Sequence, residues 1–301
     1  MKLQTGKISG FLIIVFSVLS ILFYSLYISE AKKSQTLSED FISLGIENLS
    51  SRNVSVDPET IIREIPDKDV FVIENVDFLS NNNAVANVFV EEVFDKKLIT
   101  TMSFEMPTGV SLVIHDKSDS SKELARVIYS DKDFGIKFSK NGVTITGTDI
   151  PAFNNRQNEL SSQIVDKITS ITQKIVSQDT SFRISGVIGE DDFYIVTVVK
   201  TVDEIDLKDV FINYVFQDGN LVAVGGNWFL STPKARYHNT LKDGLNVLYM
   251  LDFDNLSTIK QERIVYSLQK VEDNRYFLLP VWEIVYLDNE GNQKTAYFDA
   301  I

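Results

Sequence analysis

The feature that most constrains this chain is an uncharged apolar run close to its N-terminus. No Asp, Glu, Lys or Arg occurs between Ile8 and Ser29. A helix over these residues would be roughly 33 Å long, close to the thickness of the hydrocarbon core of a bilayer. Each Leu, Ile, Phe or Val near the centre of such a helix favours insertion by about 0.3–0.6 kcal/mol. The run therefore predicts a transmembrane helix over residues 8–29, held in the lipid bilayer.

A cleaved signal peptide is the alternative interpretation of the same run. Lys2 and Lys7 would form its basic start, and Ser29-Glu30-Ala31 loosely resembles a small-x-small cleavage site. However, the run is longer than the usual apolar core of about 7–15 residues, and Glu30 is poorly placed for cleavage. We therefore expect an uncleaved anchor. Since the sequence contains no cysteine, a lipoprotein anchor is excluded.

The orientation of the anchor depends on the length of its flanks more than on their charge. Two lysines precede the run, and Lys32, Lys33 and Arg52 follow it, so the count of positive charges on the two sides is nearly tied. A short tail of residues 1–7 is expected to stay in the cytoplasm while the long region after the helix is translocated. The sequence thus predicts a single-pass protein of the cytoplasmic membrane, with its N-terminus inside and its C-terminal region outside.

The region after the anchor has the composition of a folded, acidic protein. The chain carries a formal net charge of −13 at pH 7, which repels nucleic acid and anionic lipid headgroups. Hydrophobic residues make up 44% of the sequence and aromatic residues 11%, which is enough for well-packed cores. Without cysteine there is no disulfide, no thiol nucleophile and no cysteine-based metal site. We expect no nucleic-acid partner.

The spacing of apolar residues predicts several helices. Over residues 35–50 such residues recur at three- and four-residue steps in two sets, Leu37, Phe41, Leu44 and Ile42, Ile46, Leu49. Asp57-Pro58-Glu59 predicts the start of a short helix that ends near Ile65. Asn155–Ser177 carries isoleucines on one face and charged residues elsewhere. A further helix is predicted after Pro233, from Leu241, Leu245 and Leu248.

Alternating and apolar segments between these helices predict strands. The strands are expected at Val70–Val76, Ala86–Phe94, Thr101–Glu105, Val110–His115, Ala125–Ser130, Gly135–Phe138, Val143–Thr146, Phe182–Ile188, Phe193–Lys200, Val210–Gln217, Leu221–Leu230, Arg263–Val271, Tyr276–Leu287 and Lys294–Phe298. Asn141-Gly142 and Asp218-Gly219 predict tight hairpin turns. The fold class expected is α+β: the transmembrane helix, then two mainly antiparallel sheet domains with helices packed on one face. Their predicted bounds are 30–152 and 153–301.

Three residues are predicted to be structural rather than functional. In Tyr276–Leu287 both faces are apolar, which predicts a central strand that places Trp282 in a core. Pro280 cannot donate a hydrogen bond to a neighbouring strand, so we expect it at a bulge. Trp228, in the segment Gly225-Gly226-Asn227-Trp228, is expected in a core more than in a ligand site.

Residue patterns that would indicate an enzyme are weak. His115 and His238 stand in unrelated segments, at the end of a predicted strand and the start of a predicted helix. Asp252-Phe253-Asp254-Asn255 lacks the glycine and distal glutamate of a calcium loop. Acidic pairs such as Glu91-Glu92 and Asp191-Asp192 could perform glycosidase chemistry, but they are more typical of solvated turns. We therefore assign no catalytic, cofactor-binding or metal-binding residue, and we expect a protein that is not an enzyme.

The C-terminal strands resemble those of a known family. Arg263–Leu268, then Phe277-Leu278-Leu279-Pro280-Val281-Trp282-Glu283-Ile284, then Ala296-Tyr297-Phe298-Asp299-Ala300, are similar to the closing segment of the YycH/YycI family. The N-terminal anchor, followed by the apolar segment that leads into Asn53–Asp57, is similar to the start of the outer region of that family. The length of the chain is nearer to that of YycI.

This resemblance implies a regulatory role. Members of the family are anchored in the cytoplasmic membrane of Gram-positive bacteria, where they bind the sensor kinase WalK and tune a two-component system that controls cell-wall metabolism. The expected partners are therefore a WalK-like kinase and a YycH-like protein. Two alternatives remain open: an envelope binding or assembly module, such as a peptidase inhibitor, and a wall-active hydrolase that uses acidic residues.

A contact within the bilayer would involve small residues of the anchor. Helices in lipid associate through close packing and interhelical hydrogen bonds, because lipid tails are as apolar as leucine. Gly10, Ser17 and Ser20 can share one face of the helix, and they form the predicted helix interface. The alternative is that these serines only dilute the apolar run.

Overall fold

The structure is a computed structural model, and it describes residues 16–21, 23, 36–79, 83–94, 102–105, 110–130, 132–138, 160–176, 180–190, 193–251 and 256–301. The fold is α+β, with a mixed but mainly antiparallel sheet and few helices. The helices are α1 (Glu39–Ser51), α2 (Asn83–Phe94), α3 (Ser162–Ile175) and α4 (Gly244–Leu248), and a single 3₁₀ turn spans Pro58–Thr60. The strands are β1 (Ser55–Val56), β2 (Asp67–Glu74), β3 (Met102–Glu105), β4 (Val110–His115), β5 (Glu123–Ser130), β6 (Asp133–Phe138), β7 (Ser181–Glu190), β8 (Phe193–Val202), β9 (Ile205–Gln217), β10 (Asn220–Asn227), β11 (Lys234–Thr240), β12 (Leu256–Glu272), β13 (Arg275–Asp288) and β14 (Gln293–Asp299).

The chain forms two compact units that do not follow its linear order. Of the described residues, those up to 68 and those within 239–263 and 282–301 belong to unit 1, and those within 69–238 and 264–281 belong to unit 2. The divisions at 263/264 and 281/282 fall inside strands β12 and β13. The predicted domain boundary at 152/153 lies outside the described residues.

Unit 2 is built on a run of eight antiparallel strands in the order β7-β8-β9-β10-β6-β5-β4-β3. Helices α2 and α3 contribute to its core: the Phe89 ring of α2 lies 6.2 Å from that of Phe134 and 6.3 Å from that of Tyr214. The hydroxyl groups of Thr172 in α3 and Tyr214 in β9 are hydrogen-bonded at 2.7 Å. Burial raises the pKa of Tyr214, so its hydroxyl stays protonated. The core of this unit therefore lies where the helices meet the sheet.

The turn between β9 and β10 confirms the hairpin predicted at Asp218-Gly219. Both residues have positive φ, 49° and 72°, which is the combination that a type I′ turn requires. At the far end of β10, Gly226 has φ 157°, and a Cβ atom there would lie 2.2 Å from the carbonyl oxygen of Phe211. Only glycine allows the two strands to approach this closely.

A second set of strands in unit 2 involves β11, β2, β13 and β12. Strand β2 lies between β11 and β13 and pairs with β13 in antiparallel register from Arg275↔Glu74 to Leu278↔Phe71. Pro280 is buried within β13, two positions beyond the last of these pairs. Because Pro280 lies outside the paired stretch, the absence of its N–H group does not interrupt the pairing of β13 with β2. Strand β12 is bridged to β9 in parallel at Tyr266↔Leu207.

Unit 1 joins segments that are far apart in the sequence. Strand β1 pairs in parallel with β12 at Ser55↔Thr258 and Val56↔Ile259. Trp282 is fully buried, and its indole Nε1–H donates a hydrogen bond of 3.0 Å to the carbonyl oxygen of Lys242. Trp282 therefore lies in the core of unit 1.

One predicted element is wrong in type, and a second is correct only in part. Residues 86–94, predicted as a strand, belong to helix α2, where Val85, Ala86, Phe89 and Val90 lie one helical turn apart and are buried together. The helix predicted from Leu241, Leu245 and Leu248 is confirmed in its second half, as α4, whereas residues 234–240 before it form strand β11. Leu241 is buried ahead of α4, so its spacing to Leu245 did not reflect a helix.

Other predictions concern residues that the structure does not describe. Of the apolar run Ile8–Ser29, residues 16–21 and 23 are described and helical, while the rest of the run and residues 1–7 lie outside the described residues. Among the described residues, no helix combines the length and the apolar character needed to cross a bilayer. Val143–Thr146, Asn141-Gly142 and residues 252–255 also lie outside the described part of the chain.

Candidate interaction surface

Helix α1 begins at a capping serine. The Oγ atom of Ser38 accepts a hydrogen bond of 3.3 Å from the amide of Phe41, and Glu39 and Asp40 occupy the first turn, where carboxylates stabilise the positive end of the helix. Glu39 also forms an ion pair with Arg63. These contacts fix where the helix starts and therefore which of its faces lies on unit 1.

The inner face of α1 is packed closely against α4. Ile42, Gly45 and Leu49 are buried on this face. A Cβ atom at Gly45 would lie 2.5 Å from the side chain of Leu245, and the hydroxyl of Tyr249 donates a hydrogen bond of 3.2 Å to the carbonyl oxygen of Gly45. The absence of a side chain at Gly45 thus allows the two helices to touch.

The outer face of α1 is apolar and exposed. Phe41 is 42% exposed and Leu44 is 65% exposed, three positions apart on one side of the helix. The sequence shows two apolar sets along this helix, and in unit 1 only the set that contains Ile42 and Leu49 is buried. Exposed apolar side chains that lie next to each other make this face a candidate surface for binding another protein.

Strand β11 has a different character, because it is exposed and cationic. All of its residues except Asn239 are exposed, and Tyr237 is 57% exposed. Lys234, Arg236 and His238 alternate along the strand, so they share one face. The Nδ1 atom of His238 lies 2.8 Å from Oδ1 of Asp69 in β2.

A buried lysine joins two segments of unit 2. Lys200 is 3% exposed, and its Nζ donates hydrogen bonds to the carbonyl oxygens of Phe229 at 2.9 Å and Ser231 at 3.3 Å. The same nitrogen lies 3.8 Å from the centre of the Phe229 ring. Burial lowers the pKa of Lys200 to about 7. Through these hydrogen bonds, Lys200 connects β8 to the segment after β10 that contains Phe229 and Ser231.

Unit 1 also contains a buried ionisable group, the carboxyl of Glu262. Glu262 is 6% exposed, and its Oε2 accepts a hydrogen bond of 3.4 Å from the amide of Ile62. No described residue donates to its other oxygen, Oε1, which lies directly against Gly244. Burial raises the pKa of Glu262 to about 8, and the charge of Asp243 adds to the effect.

The residues predicted to be structural lie in cores and not together in a site. Trp228 is fully buried in unit 2, and no acceptor for its Nε1 is found among the described residues. Of the predicted helix interface, Ser17 and Ser20 are described as helical and exposed, whereas Gly10 lies outside the described residues.

The two histidines lie in different strands of the described structure, and of the two acidic pairs Asp191-Asp192 lies outside the described residues. His115 ends β4, as predicted. His238 was predicted at the start of a helix but lies in strand β11. Glu92 forms an ion pair with Lys174. The described residues include no group of three His, Asp or Glu side chains arranged to hold a metal ion.

The sequence alone does not indicate the two exposed surfaces, the outer face of α1 and strand β11, and the reason differs between them. The two apolar sets of α1 were visible, but only the fold shows which set is covered. Strand β11 has no apolar alternation, so the pattern that reveals other strands is absent. Its signal is electrostatic: residues 219–242 contain no Asp or Glu, although 42 of the 301 residues are acidic.

No protein-family model matches the chain, and no curated protein sequence matches it. The crystal structure of an uncharacterized protein from Eubacterium rectale ATCC 33656 is similar, with a TM-score of 0.53 and 8% sequence identity, over 82% of this chain and 89% of that chain. The Bacillus megaterium YpeB C-terminal domain gives a TM-score of 0.36 at 13% identity, over 72% of this chain and 97% of that chain. At this identity, the likeness to the Eubacterium protein concerns the fold alone.

Proposed function

We propose that this protein is a membrane-anchored, extracytoplasmic accessory regulator of a sensor histidine kinase, similar to the YycH/YycI family. Its transmembrane helix spans residues 8–29, the N-terminus lies in the cytoplasm and the α+β region lies outside. It acts by protein–protein contact with a WalK-like kinase, together with a YycH-like protein, in a system that controls cell-wall metabolism.

The observation that carries the proposal is the uncovered apolar face of α1. Phe41 and Leu44 remain exposed although the opposite face of the same helix is packed against α4. This helix follows the predicted anchor by some ten residues. A partner held in the same membrane would therefore find an apolar surface within reach of its own juxtamembrane segment.

The closing strands support the resemblance to the family. The three segments that carry it correspond to the three successive strands β12, β13 and β14. In β13, Pro280, Val281 and Trp282 of the Leu-Pro-Val-Trp run belong to a buried stretch that continues to Val285, and Leu279 is half-buried. The resemblance thus involves residues that build the fold, while the recognition of a partner has to come from exposed residues.

The test is co-purification of the full-length chain with a co-expressed WalK-like kinase. Phe41→Gln combined with Leu44→Gln removes the apolar surface and is expected to reduce the recovered kinase by about tenfold. Ser43→Gln combined with Glu47→Gln changes two exposed positions of the same helix and is the matched control. Full recovery with the first pair would contradict a role for this face.

The anchor is tested in the same assay. Replacing Phe11–Ile28 by an unrelated spanning sequence is expected to lower the recovery of the kinase if the helices also pack in the bilayer. Ser17→Leu with Ser20→Leu should then give a milder loss. If the exchanged anchor retains full binding, recognition lies in the outer region alone. If no variant and no wild-type protein recovers the kinase, the proposed function is wrong.

A further inference from the structure

Strand β11 is an open edge of the sheet. It occupies the end of the strand order and pairs with β2 on one side, and no described strand pairs with its other side. Its backbone is extended and six of its seven residues are exposed. An edge of this kind presents N–H and C=O groups that can pair with an added strand.

The ionisable side chains on one face of β11 are all basic. Lys234, Arg236 and His238 occupy alternate positions and so point to one face. His238 is paired with Asp69, but within the described part of the chain no carboxylate lies within 4.0 Å of the charged groups of Lys234 and Arg236. Two cations thus have no ion-pair partner among the described residues, in a protein whose net charge is −13.

From this geometry we propose that β11 binds an extended, acidic segment of a partner protein by strand addition. Backbone hydrogen bonds along the free edge supply the pairing, and alternate carboxylates of the segment face Lys234 and Arg236. A second copy of β11 is disfavoured as the occupant, because strand pairing would bring the cations of both copies together. The proposal goes beyond kinase regulation and does not depend on the identity of the kinase.

The probe is a fluorescent synthetic peptide of roughly seven residues, the usual length of a strand, with Glu at alternate positions and Val or Thr between them. Binding to the full-length protein in detergent micelles is followed by fluorescence anisotropy. Lys234→Glu with Arg236→Glu is expected to weaken binding by about tenfold or more. Lys117→Glu with Lys270→Glu introduces the same change in net charge at exposed positions of unit 2 and should leave the affinity close to that of the wild type.

Strand addition is separated from simple charge attraction by two N-methylated forms of the peptide. In a strand, successive N–H groups point to opposite sides, so only one alternate set faces β11. Methylation of that set should abolish binding, and methylation of the other set should be tolerated. Equal binding of both forms, or equal weakening by the two charge-reversed variants, would overturn the proposal. So would failure of the wild-type protein to bind the unmodified peptide, in which case the charges only protect the edge from aggregation.

Discussion

Glu262 shows how a single buried group can make the stability of unit 1 depend on pH. Its carboxyl is almost enclosed, one oxygen has no described donor, and burial raises its pKa to about 8. A carboxyl with a raised pKa in the folded state binds a proton more tightly than in the unfolded chain. The contribution of protonated Glu262 to the free energy of unfolding is therefore complete below the pKa of the unfolded chain, near 4.5. It is lost as the pH rises towards the pKa of the folded state, about 8.

We predict that Glu262→Gln removes this dependence. Glutamine resembles the protonated acid in shape and charge, so the loss of up to about 1.4 kcal/mol per pH unit between 4.5 and 8 should disappear. Chemical unfolding of the protein in micelles at several pH values measures the effect. Glu47→Gln, at an exposed position of α1, is the control. Parallel pH profiles for the wild type and Glu262→Gln would contradict the assignment.

A second prediction at this scale concerns Trp282. Because the indole is fully buried and donates to the carbonyl oxygen of Lys242, Trp282→Ala should destabilise unit 1 by about 3–5 kcal/mol. Trp282→Phe fills most of the space but lacks the N–H, and should cost considerably less. Thermal unfolding of both variants separates the two contributions. An unchanged melting temperature for Trp282→Ala would show that the ring does not support the core.

At the scale of the elements, sequence periodicity was most informative where one face of an element is buried. The strands from β7 to β10 were placed correctly, and the helices α1 and α3 were located correctly although both begin later than predicted, because their apolar residues alternate or recur with the required period. Helix α2 was not, because Val85–Phe94 is rich in β-branched and aromatic residues and its strand propensity is overridden by packing on the sheet.

The two candidate surfaces, the outer face of α1 and strand β11, could be predicted only in part, because periodicity reports burial and these surfaces are exposed. A periodic pattern shows that a face is apolar but not whether another element covers it, which is why the set with Phe41 and Leu44 could not be told from the buried set with Ile42 and Leu49. An exposed strand such as β11 needs no apolar pattern at all, since a single neighbour, β2, holds it. The residues proposed for recognition lie where these patterns fail.

At the scale of the whole molecule, the proposed topology makes a direct prediction. Protease added to intact protoplasts should digest the region after residue 29, because that region is proposed to lie outside while the tail of residues 1–7 lies inside. A cytoplasmic marker protein that stays intact is the control for membrane integrity. Immunoblotting for the C-terminal region measures the digestion, and complete protection would contradict the proposed orientation.

The interleaved composition of unit 1 has a consequence for the time course of biosynthesis. Val56 pairs with Ile259, some 200 positions later in the chain, and the amide of Lys242 donates to the carbonyl oxygen of Ala300. At about 5–20 residues per second, synthesis of the intervening chain takes on the order of 10–40 s. Throughout that interval, the inner face of α1 lacks its native neighbour α4, so the inner and the outer apolar faces of the helix are both uncovered. Nascent α1 is therefore the segment where a holding chaperone, or premature aggregation, would act first.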